Sequence, residues 1–197
     1  MMNPAFALKI LDELVEIYKN RKIYKFLHLP VQSGDNTVLK HMRRGYSVED
    51  FREIVKTFRD NFRRFSISTD IIAGYPVEDS ASFGETMGLI EEIKPEIINI
   101  TRFSPREGTE AAELEGLHDY IKKERSRRLS ELMKKIGYEK NKRFIGKRLK
   151  VLITKPGKNN TLLARSGFYT QVVVREGKIG EFREVTVKTA KSTYLVA

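Results

Sequence analysis

The stretch IYKFLHLPVQSGDNTVL, residues 23–39, begins as a short apolar run, is stopped by Pro30, and gives way to a Gln-Ser-Gly turn at residues 32–34. A short apolar run bounded in this way reads as a buried strand, since a strand covered on both faces need not alternate. FSISTDIIAGYP (65–76) and EIINITRF (96–103) repeat the pattern. Between the strands lie helical periods. One short helix is expected from about Asp35 to Arg43. A longer one spans SVEDFREIVKTFRDNF (47–62), where Ser47 and Asp50 form a capping-box pair ahead of Phe51, Ile54, Val55 and Phe58. A third, near residues 80–94, is closed by Pro95. Ahead of all of them, PAFALKILDELVEIYKN (4–20) predicts one helix that buries Phe6, Ile10, Leu14 and Ile17.

Strand and helix in strict alternation is the pattern of parallel βαβ units, because parallel neighbours need a long crossover. Functional loops then gather at the carboxyl ends of the strands. Those loops carry His28, Gln32, Ser33, Asp70, Tyr75, Glu78, Arg102, Ser104, Arg106 and Thr109. Spacing alone leaves their roles open. His28 alternates with apolar neighbours and reads equally as a hydrogen-bonded core histidine. Asp70 can be an ordinary buried carboxylate, and Glu78 with Asp79 favours the start of the next helix.

Beyond residue 119 a long basic helix containing IKKERSRRLSELMKKI connects to a different grammar. KRLKVLITKPG, TLLARSG, YTQVVVREG and REVTVKTA are short strands separated by Gly and Asn turns, which predicts a small closed β-barrel of about five strands. The charge is just as uneven. Residues 1–137 hold 23 Lys and Arg against 22 Asp and Glu, whereas residues 138–197 hold 14 against 4. A +10 excess laid over a small barrel marks a surface for polyanions, RNA first. Lys142, Arg143, Lys147, Arg148, Lys150, Lys155, Lys158, Arg165, Lys188 and Lys191 supply the cations. Phe168 and Tyr169 are expected to stack on bases, and Phe144 and Phe182 to fill the core. No apolar run is long enough to span a membrane and no signal peptide opens the chain, so a cytoplasmic location is expected. There are no cysteines, which excludes disulfides and cysteine-ligated iron–sulfur clusters within these residues.

In order, FLHLPVQSGDNTVLKHMRRGYSVEDF, STDIIAGYPVED and RFSPREGTEAAEL closely resemble the radical S-adenosylmethionine methylthiotransferases, and the last 60 or so residues resemble the TRAM domain that ends those proteins. ARSGFYTQVVV and GEFREVTVKTAKSTYLVA are most similar to the archaeal and eukaryotic branch, which acts on N6-threonylcarbamoyladenosine beside the tRNA anticodon. The resemblance implies an α/β fold, the last three strands of a (βα)6 radical barrel over residues 1–137, and an RNA-binding TRAM barrel over 138–197. It implies S-adenosylmethionine and two four-iron four-sulfur clusters in the complete enzyme. The cysteines that hold both clusters are absent, so this sequence reads as a C-terminal piece, or split-gene product, that is inactive alone. His28, Gln32, Ile72, Gly74, Tyr75, Phe103, Ser104 and Arg106 would complete the cofactor pocket, and tRNA would be the partner. Val77 stands where the family has Gly, which raises the question of whether that turn still forms. Two other readings fit the same residues: a ribosomal-protein methylthiotransferase, and a stand-alone RNA-binding module on a half-barrel scaffold. Half a barrel also exposes strand edges, which predicts a homodimer or strand-swapped oligomer.

Overall fold

The computed structural model describes residues 1–197. The chain opens with α1 (Pro4–Lys9), capped by the Asn3 side chain on the Ala5 N–H at 2.8 Å, and α2 (Leu11–Tyr18). These are two helices where the periodicity predicts one. The backbone leaves the helical region at Ile10 (φ −126°, ψ 32°), and the buried stripe is Ala7, Leu14 and Val15. Phe6, Ile10 and Ile17 are exposed instead. Ala7 is fully buried where α1 lies on α4 (Val48–Asn61), so the small side chain takes the contact that the larger ones were expected to make.

β1 (Phe26–His28), β2 (Ser66–Ala73) and β3 (Ile97–Arg102) form a parallel sheet in the order β1-β2-β3. Pro30 cuts the first strand short, yet the Gln32 N–H still donates to the Asp70 carbonyl at 2.8 Å and the Ile72 N–H to the Gln32 carbonyl at 3.0 Å. α3 (Asn36–His41), α4 and α5 (Ser80–Ile93) are the crossovers. Ser47 and Asp50 make the full capping box on α4, and Lys94 ends α5 in the left-handed region ahead of Pro95. Leu27, Ile67, Ile71 and Ala73 face these helices and join Phe51, Ile54, Phe58, Leu89 and Ile90 in one core. Strand alternation sends His28, Ser66, Ser68, Asp70, Ile72, Asn99 and Thr101 to the opposite face. This is the inner face of the expected half barrel, and it is polar apart from Phe26, Ile72 and Ile97.

After the short α6 (Glu110–Glu113), α7 (Asp119–Asn141) runs along the sheet and leads through a 3-10 turn (Lys142–Phe144) into the β unit. There β4 (Arg148–Pro156), β5 (Leu162–Ser166), β6 (Gln171–Val174), β7 (Phe182–Thr186), β8 (Thr189–Ala190) and β9 (Tyr194–Val196) make a six-stranded sheet ordered β7-β4-β5-β6-β9-β8. It curls around Leu149, Val151, Ile153, Ala164, Val172, Val174 and Leu195. Its edge strands β7 and β8 are consecutive in the chain and joined through Val187 and Lys188, but no ladder pairs them, so six strands make a curled, open sheet and not the closed barrel of about five that the turns predicted. Phe144 packs on this core as expected. Phe182 does not: it is 64% exposed, because it alternates with the inward residues of β7.

The two units meet at the β5–β6 hairpin. The Lys25 N–H donates to the Gly167 carbonyl at 2.9 Å and the Ser66 hydroxyl to the Phe168 carbonyl at 2.6 Å. On α7, a Cβ on Gly137 would lie 2.2 Å from the Ser192 carbonyl oxygen, and the Asn141 side-chain amide donates to the Lys191 carbonyl at 2.8 Å. Glycine is what lets the β unit seat on that helix. No helix is long and apolar enough to cross a membrane.

Candidate functional site

A cavity of about 670 Å³ opens at the carboxyl ends of β2 and β3. Ile72, Tyr75, Phe103, Ser104 and Arg106 line it, so five of the residues expected at a pocket do converge. Tyr75 and Phe103 meet edge to face at 5.2 Å, and the Tyr75 hydroxyl donates to the His41 carbonyl at 3.2 Å. The opposite wall comes from residues that sequence reading missed. His41, Met42, Arg43 and Arg44 follow α3, and Arg43 pairs with Glu110 across the mouth. Arg44 Nε is buried with no hydrogen-bond partner. Beside it, burial pushes the Tyr46 hydroxyl up to about 12, with Arg44 opposing and Asp70 adding to the rise. The run Met42-Arg43-Arg44-Gly45-Tyr46 was the available signal, but nothing local shows that it folds toward β3.

His28, Gln32 and Gly74 do not line the cavity. The His28 ring pairs with Asp70 through Nε2 and Oδ1 at 2.7 Å, and the Asn99 amide donates to the same oxygen at 2.8 Å. That row lies on the inner face of the sheet, below the cavity. Gln32 is tied to β2 by its backbone, at φ +73°. Gly74, at φ +77°, is buried against α7, where a Cβ would come 2.3 Å from Lys122 Cγ. Val77 is not among the positive-φ residues, so valine there strains nothing.

The turn is held by a buried ion pair. Asp79 caps α5, accepting from the Ser82 N–H at 2.7 Å, but Glu78 turns inward and not to the helix start. Its Oε1 accepts from the Gly74 N–H at 3.0 Å and from Arg125 Nη1 of α7 at 2.5 Å; the same guanidinium donates to the Glu78 carbonyl at 2.8 Å. The two side chains are 1% and 7% exposed. Burial raises the Glu78 carboxyl above the usual glutamate range, opposed by Gly74 and Arg125, and Oε2 has no partner. One helix thus clamps the loop that carries Tyr75.

Comparison with known proteins accounts for both units. A family model described as the Radical SAM superfamily matches residues 3–90, and the TRAM domain matches residues 142–197. The chain carries a radical SAM segment followed by a TRAM domain. It is 54% identical over its whole length to a "Probable threonylcarbamoyladenosine tRNA methylthiotransferase" of Archaeoglobus fulgidus and 50% to that of Pyrococcus horikoshii, covering 46% of each. It is 36% identical to the human threonylcarbamoyladenosine tRNA methylthiotransferase, over 95% of this chain and 32% of that protein. The chain therefore spans less than half the length of these curated relatives. Among solved structures, the coproporphyrinogen III oxidase of Escherichia coli, a radical SAM enzyme, superposes with a TM-score of 0.54 at 18% identity, covering 66% of this chain and 30% of that one. That likeness concerns the fold alone.

Within this radical SAM–TRAM chain the basic residues take three situations. Arg148 and Lys150 stand on the outer face of β4, with Lys150 Nζ 5.4 Å from the exposed Phe182 ring, and Lys188 is exposed near the sheet edge. Lys142 pairs with Glu139 at 2.6 Å, while Arg143 and Lys147 line a groove between the units. Arg165 is used internally: it donates to the Tyr169 carbonyl at 3.0 Å and lies 4.4 Å from that ring. The expected stacking aromatics are also occupied by protein. Phe168 stacks on Phe144 at 5.3 Å, and Tyr169 packs on Phe26 at 4.4 Å and Tyr24 at 5.1 Å. They sit at a hairpin tip, a place that reads as solvent in the sequence and is a docking point in the fold.

The residues at the cavity fit one of the implied cofactors and not the other. An orphaned guanidinium N–H next to an aromatic and aliphatic wall suits a molecule that combines a purine with a carboxylate, as S-adenosylmethionine does. For iron–sulfur clusters the chain has no cysteine, and no group of three His, Asp or Glu side chains is placed to hold a metal.

Proposed function

We propose that this chain forms the carboxyl-terminal share of a cytoplasmic enzyme that methylthiolates N6-threonylcarbamoyladenosine in tRNA, with residues 1–137 completing a radical barrel and residues 138–197 binding the RNA. The observation that carries the proposal is the match of the whole chain, both units in order, to relatives that bear that name. The +10 excess of the last 60 residues favours RNA over a protein substrate.

In this reading Ile72, Tyr75 and Phe103 give the purine of S-adenosylmethionine an apolar wall, Ser104 borders it, and Arg44 and Arg106 hold its carboxylate. When bound, the cofactor supplies radical chemistry and the methyl group. The two four-iron four-sulfur clusters need thiolates that this chain lacks, so no step is assigned to them here. What these residues contribute is placement and dryness: Tyr75 is fixed by His41 and Phe103, and the Glu78–Arg125 clamp fixes its loop. His28, Asp70 and Asn99 present polar atoms on the inner face, where the base would enter. On the TRAM side Phe182 and Lys150 offer an exposed aromatic with a cation beside it, which suits an unpaired base.

The test is to join the portion of the Archaeoglobus relative that this chain does not span to the amino end of this chain, reconstitute the clusters, and digest the treated tRNA for mass spectrometry. Methylthiolated threonylcarbamoyladenosine is the expected product. A fusion that binds clusters and tRNA yet leaves that nucleoside unchanged refutes the assignment.

A further inference from the structure

A second cavity, of about 430 Å³, lies between the two units at the opposite end of β2 from the first. One wall is the end of α4 and the loop into β2, with Arg59, Arg63 and Arg64. The other is the end of α7 and the start of the TRAM domain, with Lys140, Arg143 and Lys147. Six cations thus face a groove in which Glu96 is the sole carboxylate. Glu96 is already engaged: it pairs with Lys140 and accepts from the Ile67 N–H at 2.8 Å. Arg64 lies 5.5 Å from the Phe144 ring and 5.7 Å from the Phe168 ring, which themselves stack, so its guanidinium sits against a pair of aromatics. Such a planar fork, pinned on a ring, loses little freedom when it pairs with a phosphate. The Lys140 ammonium is held below its usual range, by burial first, with Glu96 opposing and Arg59 and Arg143 adding to the fall. The cations are close enough to repel one another, and an anion between them relieves that.

We infer that this interdomain groove is a second RNA-backbone site, in which Arg63 and Arg64 of the radical SAM segment act together with Arg143 and Lys147 of the TRAM domain on the phosphates of the same tRNA. The inference rests on the tRNA reading above. The ligand is a polyanion because of distance. The eight residues of β2 span about 26 Å at roughly 3.3 Å each, and a duplex of that length carries about 15 phosphates at one per ~1.7 Å of axis. A small phosphate compound fills one end only, whereas a nucleic acid whose base enters at the inner face of the sheet, beside the first cavity, reaches the groove with its backbone.

The experiment measures binding of an unmodified tRNA transcript to the full chain across a salt series, for wild type, R63A/R64A, R63K/R64K, and K9A/K56A as an equal loss of charge on the outer helices. In R63A/R64A the affinity at low salt falls tenfold or more, and the slope of log K against log salt flattens by about 2, since each lost phosphate contact removes roughly 0.9. R63K/R64K, which keeps the charge and loses the planar fork, recovers the slope, and K9A/K56A leaves it within about 0.5 of wild type. R63A/R64A with wild-type affinity and slope overturns the inference while the tRNA reading stands. So does R63K/R64K whose salt slope stays as flat as that of R63A/R64A, since restoring the charge would then restore no phosphate contact. A wild-type chain that binds no tRNA overturns the tRNA reading itself.

Discussion

Arg125→Ala tests how the loop at the first cavity is held. In the folded chain the Glu78 carboxylate is 1% exposed and rests on two donors, the Gly74 N–H and the Arg125 guanidinium. Removing the guanidinium leaves a buried charge with one hydrogen bond at 3.0 Å and a second oxygen that has none. Breaking a buried pair from one side costs about 3–5 kcal/mol. Loss of the Arg125 contact with the Phe83 ring, 5.2 Å away, adds about 0.5–1 kcal/mol. Proton uptake by Glu78 limits the total, at about 1.4 kcal/mol for each pH unit it must be titrated. About 4 kcal/mol is therefore expected at neutral pH, or roughly 8–16 °C in Tm for a chain of this size. Urea melts followed by far-UV circular dichroism read the change. In E78Q/R125M the amide still accepts from Gly74 and no charge is stranded, so more than half of the loss returns. A stability for R125A within about 1 kcal/mol of wild type, with an unchanged m-value, refutes the clamp.

Two more outcomes follow from the same structure. Phe182→Ala leaves the melt unchanged, because the ring is 64% exposed, and weakens binding of single-stranded RNA by about 1–3 kcal/mol, the worth of one stacked base; unchanged affinity by fluorescence anisotropy places the bases elsewhere. For pH, Glu78 is raised above its ordinary 4.5 by burial, so just above that value the native state holds a proton that the unfolded chain has released. Stability therefore falls as pH rises through the window from 4.5 to the raised value. Urea midpoints taken from about pH 4 to 7 show that slope in wild type and lose it in E78Q; equal slopes in both exclude Glu78 as its source.

Much of the architecture is local and so was legible. Pro30, Pro95 and the Ser47–Asp50 capping box end or start elements through neighbouring backbone alone, and the three βαβ strands lie where their apolar runs stand. The helix at the amino end is the counter-example. Phe6, Ile10 and Ile17 have helical spacing, but the stripe that packs is decided by which side fits α4, and there small Ala7 goes in. The same holds for the aromatics of the β unit. Hydrophobicity alone cannot distinguish Phe182, which faces solvent, from Phe144, which packs on the core, nor show that Phe168 stacks on Phe144 in its own unit while Tyr169 is taken by the neighbouring one.

The sequence by itself determined the alternation of strands and helices, the two-part organisation, the absence of cluster ligands and the charge excess after residue 137, since these depend on composition and on short-range order along the chain. Only the tertiary structure decided which residues meet. Arg44 comes to the first cavity from the far side of α3, and Glu78 leaves the helix start it seemed to serve for Arg125 of α7, 47 residues away. Arg59, Arg63 and Arg64 belong to residues 1–137, whose charges nearly cancel, yet the fold sets them against Arg143 and Lys147 with one acid between them. Electrostatic potential adds over neighbours in space and not along the chain, which is why a nearly neutral segment carries half of a basic groove.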